Sequence, residues 1–200
     1  MNQSELRNPI QKRAIEKKQK ILENGFILIC EKGYHNVDCA EIAKNCDVST
    51  GTVYQYFTDK RDIFLQGLRN YSKLMLFPIL EYKDKQIKNN DISVLIRNII
   101  KNAIKHHKMS QTAHEEIMSM KHSDPEVNKI FQEYELEATD VLVQILKSYD
   151  LKINDIYEKS HLIITWIDDL CHEIIYHKHD NLNYDKMTDI VIDSVLHLLK

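Results

Sequence analysis

Apolar residues recur every three to four positions along most of this chain, the spacing of helices that bury one face. No segment shows strong strand-like alternation. All four glycines (Gly25, Gly33, Gly51, Gly67) fall at or before residue 67, and the rest of the chain has two prolines, Pro78 and Pro125. Such a glycine-free stretch suits helices joined by short polar turns. The first predicted helix opens at Asn8-Pro9, a capping residue before a proline suited to the first helical position. Ile10, Ala14, Ile21, Leu22, Phe26, Ile29 and Cys30 mark its apolar face, and Gly33 ends it in a positive-φ conformation. A short helix follows behind Asp38, with Glu41 completing a capping-box-like pair. Asn45-Cys46-Asp47-Val48 is a tight turn with Asp47 suited to the left-handed region. Ser49 caps a third helix to about Phe57. A fourth helix opens at Thr58-Asp59 and is ended or kinked by Pro78. Further helices are predicted near 91–108, 110–121, 124–149, 155–178 and 185–199. Asp124-Pro125 is a second cap-plus-proline signal.

Composition changes this picture little, but charge placement does. The net charge of −3 does not suggest a nucleic-acid binder. Residues 1–20, however, carry six cations (Arg7, Lys12, Arg13, Lys17, Lys18, Lys20) against Glu5 and Glu16, so a basic arm sits on an acidic body. That arrangement fits a protein touching phosphate at one end only. Cys30, Cys39, Cys46 and Cys171 form no CxxC pair and are expected to be small buried hydrophobes. No apolar run reaches the length of a membrane span, and the first 20 residues lack a signal-like apolar core, so a cytoplasmic location and no membrane partner are expected.

Two short helices joined by a four-residue turn behind a longer one make a helix-turn-helix, whose second short helix fits a DNA major groove. Its leading face is small and polar: Ser49, Thr50, Gly51 and Thr52, with Tyr54, Tyr56 and Lys60 able to donate to backbone oxygens. The ordered series Gly33-Tyr34, Glu41-Ile42-Ala43, Val48 through Phe57, Lys60 and Ile63-Phe64 closely resembles the DNA-binding domain of the TetR family of bacterial transcriptional regulators, over about residues 10–65. The resemblance implies that Ser49, Thr50, Gly51, Thr52, Tyr54, Gln55, Tyr56 and Lys60 form the DNA interface. Thr50, Gly51, Thr52 and Gln55 would approach base edges, and Tyr54, Tyr56 and Lys60 would grip phosphates. Val53 and Phe57 would pack inward. Three positions depart from the family pattern. Val37-Asp38 stands where threonine or serine is usual, which makes Asp38 a cap rather than a DNA contact. Ala40 replaces a common cation, and Asp47 replaces the usual turn glycine.

The expected architecture is therefore all-α: a helix-turn-helix DNA-binding domain at 8–57 and a helical effector-binding and dimerisation domain at 58–200. The resemblance implies a repressor that binds pseudo-palindromic operator DNA as a homodimer through its last two helices, and that a small apolar or amphipathic effector releases. Apolar stripes support the pairing: Leu162, Ile163, Trp166, Ile167, Leu170, Ile174 and Ile175 on one helix, and Met187, Ile190, Val191, Val195 and Leu198 on the next. Candidate effector contacts are Tyr71, Met75, Met109, Met118, Phe131, Tyr134, Trp166 and Cys171. Ten histidines, among them His106-His107, His114, His122, His172, His177 and His179, raise the alternative of a metal-responsive regulator. The spacing alone shows no set of three or four metal ligands, so no metal and no cofactor is expected. Asp168-Asp169 beside His172 resembles acid–base machinery only superficially. No phosphate loop, nucleophile elbow or metalloprotease signature accompanies it, and no enzyme activity is expected.

Overall fold

The computed structural model describes residues 8–82, 91–107, 109–149 and 152–200. Among these, every regular element is helical. In chain order they are α1 (Asn8–Lys32), α2 (Cys39–Asn45), α3 (Thr50–Tyr56), α4 (Lys60–Leu80), α5 (Ile92–His106), α6 (Gln111–Ser123), α7 (Pro125–Lys147), α8 (Ile156–Ile175) and α9 (Tyr184–Leu198). No described helix is long and apolar enough to cross a membrane.

Local chemistry sets most helix ends. Gly33 has φ 92° and leads into a 3-10 turn at Tyr34–Asn36. Asp38 caps α2 by accepting from the Glu41 amide at 2.8 Å. The Glu41 side chain does not close the expected box, because it pairs with Lys32 of α1 instead. Asp47 takes the left-handed conformation, φ 56°, in the turn before α3. Ser49 accepts from the Thr52 amide at 3.2 Å. Asp59 does the same for the Asp62 amide, whose own carboxylate accepts from Thr58 N–H. Pro78 does not end α4, which continues to Leu80.

By compactness the chain forms two units. The first unit holds residues up to Tyr71 together with Met109–Asn128, and the second holds Ser72–Lys108 and Lys129–Lys200. In the first, Ile21, Phe26, Ile29, Ile42, Val53, Ile63 and Phe64 form a buried core. Helix α6 packs along α1 and adds Ala113, Ile117 and Met120 to the buried set. Two polar ties fasten it. The Tyr34 amide donates to Glu116 at 2.7 Å, and Arg61 donates to Asp124 at 2.8 Å and to Glu126 at 2.8 Å. Burial pushes the Asp124 carboxyl up, but the amides of Glu126 and Val127 and the Arg61 guanidinium outweigh it and hold Asp124 below the usual carboxylate range. The core of the second unit comes from α4, α5, α7, α8 and α9: Leu76, Leu95, Ile96, Ile99, Ile100, Leu142, Ile163, Ile167 and Val195 are all buried.

Candidate DNA interface and ligand cavity

Helix α3 has one buried face and one open face. Val53 and Phe57 are buried, as the helix-turn-helix pattern requires, and anchor α3 in the first unit. The opposite side presents Ser49, Gly51, Tyr54 and Gln55, all exposed, with Thr50, Thr52 and Tyr56 half-buried beside them. The Ser49 and Thr52 hydroxyls lie 2.9 Å apart, so the cap also orients the threonine. Tyr54 is 56% exposed. A hydrogen bond to the Cys39 thiol raises the pKa of its hydroxyl, which keeps Tyr54 a neutral donor.

A Cβ on Gly51 would meet only the Ser49 Oγ, at 3.8 Å. Glycine inside a helix costs stability relative to alanine, and no contact among the described residues requires it here. The missing side chain leaves room for something outside the chain.

Lys60 is held from within. Its ammonium donates to the Tyr34 and Val37 carbonyls, the latter at 2.8 Å, and lies 4.5 Å from the centroid of the Tyr34 ring. It therefore pins the segment joining α1 to α2 against the start of α4. Sequence spacing carried no sign of this, since the partners lie more than twenty residues away. Exposed Lys12, Arg13, Lys17, Lys18 and Lys20 run along α1, and Lys18 sits 5.5 Å from the Phe57 ring centroid, close to the end of α3. Arg7 lies outside the described residues.

The second unit contains a small cavity lined by Met75, Pro78 and Ile79 of α4, Ile99 and Ala103 of α5, His107, Tyr134 of α7, and Ile164, Ile167, Asp168 and Cys171 of α8. Its volume is about 20 Å³; a single water needs ~10–15 Å³ on this measure. Of the expected contacts, Met75, Tyr134 and Cys171 line it. Tyr71, Met109, Met118, Phe131 and Trp166 do not: the Tyr71 ring lies tilted 6.4 Å from that of Phe26 in the first unit, Met109 and Met118 also belong to that unit, and Trp166 packs against the core of the second. Choosing large adaptable side chains missed the polar members, His107 and Asp168. Their signal was a charged or imidazole group within an otherwise apolar helical face.

These two meet a third group. Asp168 and His172 stand one turn apart on α8, and His107 caps the end of α5. The ligand-type atoms of His107, Asp168 and His172 all lie within 4.8 Å of one another. His107 Nε2 is 3.8 Å from one Asp168 oxygen, and His172 Nδ1 is 3.8 Å from the other. Burial lowers the pKa of His172 against the opposing pull of Asp168, which favours a neutral imidazole. Burial, reinforced by Asp168, raises the Cys171 thiol, so it stays protonated. Cys30, Cys39, Cys46 and Cys171 are all free and buried.

Residues 21–66 match the family model described as bacterial regulatory proteins, tetR family. The chain is 33% identical over 90 residues to the uncharacterized HTH-type transcriptional regulator YuxN of Bacillus subtilis (strain 168), a match covering 42% of this chain and 31% of that protein. It is 33% identical over 52 residues to IcaR of Staphylococcus aureus (strain Newman), the biofilm operon icaADBC HTH-type negative transcriptional regulator, covering 26% of this chain and 28% of that one. The aligned stretch thus spans about a third or less of these relatives. A crystal structure of a TetR-family regulator from Mesorhizobium loti shares the fold over 94% of this chain and 96% of its own, with TM-score 0.71 and 17% identity.

Proposed function

We propose that this chain, whose residues 21–66 match the tetR-family model, is a ligand-responsive transcriptional regulator that represses by occupying a pseudo-palindromic operator as a homodimer. The observation that carries this is the open face of α3, above all Gly51, a helical glycine that no contact among the described residues requires. A groove-reading helix needs small and polar residues where base edges approach, and Gly51, Thr50, Thr52 and Gln55 supply them. Tyr54, Tyr56, Lys60 and the capped start of α3 serve the phosphates, which set affinity and register. The lysines of α1 add the electrostatic footprint. IcaR is named a negative regulator, and repression is the sense proposed here. The operator is obtained by selection from random duplexes with the intact protein. Gly51→Leu should then leave thermal stability within about 0.5 kcal/mol of the parent, as at other surface sites, while abolishing binding to the selected duplex. Retained operator binding by Gly51→Leu would remove α3 as the reader.

The proposed effector is a small apolar or amphipathic molecule that enters between Met75, Tyr134 and Cys171 by widening a cavity that at about 20 Å³ holds little more than one water. Helix α4 begins in the first unit and contributes Met75, Pro78 and Ile79 to the cavity, so the proposed route from ligand to DNA binding is this helix. Ligand and operator then weaken each other by the same factor. A second reading, a metal-responsive regulator, draws on the convergence of His107, Asp168 and His172.

The proposed dimer uses α8 and α9, but not all of their apolar stripes. Ile163, Ile167, Leu170 and Val195 are buried within the single chain. Leu162 and Ile190 remain 44% and 63% exposed. A charge at Ile167 or Val195 would unfold the chain, whereas Leu162→Glu/Ile190→Glu should stay folded and become monomeric, with operator affinity falling as bivalent contact is lost. Light scattering with circular dichroism checks this. A dimer that survives both substitutions places the interface elsewhere.

A further inference from the structure

We propose that His107, Asp168 and His172 form a binding site for a divalent transition-metal ion of the Zn²⁺ or Co²⁺ type, with its open coordination position toward the α4–α5–α8 cavity.

The donor chemistry comes first. His107 Nδ1 lies 2.8 Å from the Ala103 carbonyl oxygen, which can only accept. Nδ1 therefore carries a proton, and in the neutral ring Nε2 is a bare lone pair. Nε2 lies 3.8 Å from Asp168 Oδ1. A cation between such a lone pair and a carboxylate turns their mutual repulsion into attraction. A shared proton would draw the two atoms to about 2.7–2.9 Å. A metal ion holds them farther apart: two ligand atoms about 2.0–2.2 Å from a tetrahedral Zn²⁺ lie roughly 3.3–3.6 Å from each other. His107 Nε2 lies 3.8 Å from one Asp168 oxygen and His172 Nδ1 lies 3.8 Å from the other, and the whole set falls within 4.8 Å, so a bound ion would draw the three side chains slightly together.

The scaffold suits the ion as well. Asp168 and His172 share one face of α8 by their four-residue spacing, and His107 is fixed at the end of α5, which packs on α8. The Ala103 carbonyl provides the outer hydrogen bond that a ligating histidine needs to hold its tautomer and ring orientation. Two imidazoles and one carboxylate are a donor set for borderline divalent ions rather than for Mg²⁺ or Ca²⁺. His107 and Asp168 also line the cavity, whose remaining walls are mostly apolar. Three protein ligands with a fourth position facing a cavity leave a place for water or a coordinating molecule. Only the ion's role as effector rests on the metal-responsive reading; its binding rests on the ligand geometry.

The experiment is a Co²⁺ titration of the untagged, full-length, metal-stripped protein, followed by visible d–d absorption and by calorimetry. One Co²⁺ per chain is expected, with the intense bands of a low-coordinate ion, displaced by Zn²⁺. His172→Gln and the isosteric Asp168→Asn should each weaken binding at least about tenfold, with helicity by circular dichroism unchanged. Should one variant misfold, the other still decides the matter. Replacing the exposed His177 and His179 together by glutamine should leave the bands intact. Absence of stoichiometric binding, or its loss in the His177/His179 variant with retention in Asp168→Asn, overturns the site. Operator binding is measured on the same samples with and without Co²⁺. An ion held by the triad without effect on operator affinity sustains the site and rejects the metal-responsive reading. Operator binding by the metal-free chain tests the regulator reading independently of either.

Discussion

Gly67→Ala is expected to destabilise the first unit by at least about 2 kcal/mol, although alanine favours a helix over glycine by ~1 kcal/mol. The cause is the approach of α1 to α4. A Cβ on Gly67 would fall 2.5 Å from Phe26 Cβ and 2.4 Å from its Cγ. Those atoms sit next to the α1 backbone, so no rotation of the Phe26 side chain clears them all, and the helices themselves must part. Overpacking of this kind typically costs 1–3 kcal/mol or more. Phe26 also lies 5.7 Å from the ring of Phe64 and 6.4 Å from that of Tyr71, so its displacement spreads through the core. Gly51→Ala is the control, since a Cβ there meets only one hydroxyl oxygen at 3.8 Å; its unfolding temperature should hold or rise slightly. Thermal unfolding of the two variants should thus move in opposite directions. A Gly67→Ala protein as stable as the parent would mean that α1 and α4 are not so closely packed.

Lys60→Ala should lower both stability and operator affinity, and the two losses can be separated. Removing the ammonium leaves the Tyr34 and Val37 carbonyls without this donor and ends the contact with the Tyr34 ring. A stability loss of about 1–3 kcal/mol follows. If Lys60 also grips phosphate with its remaining N–H, operator affinity falls on the order of tenfold, equivalent to ~1.4 kcal/mol. The slope of log K against log salt then shallows by about 0.9. Titrations at several salt concentrations, held well below the variant's unfolding temperature, give both quantities. A lower affinity with an unchanged slope would leave Lys60 as a positioning residue that acts through the α1–α2 connection.

Much of the molecule was legible before its structure, wherever the signal was short in range. Asp38, Ser49 and Asp124 announce helix starts because each side chain bonds an amide two or three residues away. Gly33 and Asp47 mark positive φ for equally local reasons. Val53 and Phe57 read as inward-facing from helical spacing alone. For the same reason the helix count and the open face of α3 followed from residue order and helix geometry. The Glu41 pairing failed at this level because Lys32, on another helix, competes for its carboxylate.

What the amino-acid order alone determined is thus the set of helices, their ends, and the small polar face of the reading helix. Tertiary structure decided which residues meet. It joined α6 to the turn after α1 through Glu116 and set Arg61 against Asp124, pairings more than sixty residues apart. It placed Met75, Tyr134 and Cys171 at one cavity and left Trp166 and Phe131 out of its lining, although all five looked alike as adaptable apolar residues. It buried Ile167 and Val195 while leaving Ile190 open, a distinction invisible in a broad apolar stripe. It also brought His107 to Asp168 and His172 across the α5–α8 contact. Caps and turns are settled by atoms a few bonds apart along the backbone. Cavities and ligand clusters depend on how distant helices rotate and slide to fill one core, and the chain's local chemistry does not specify that.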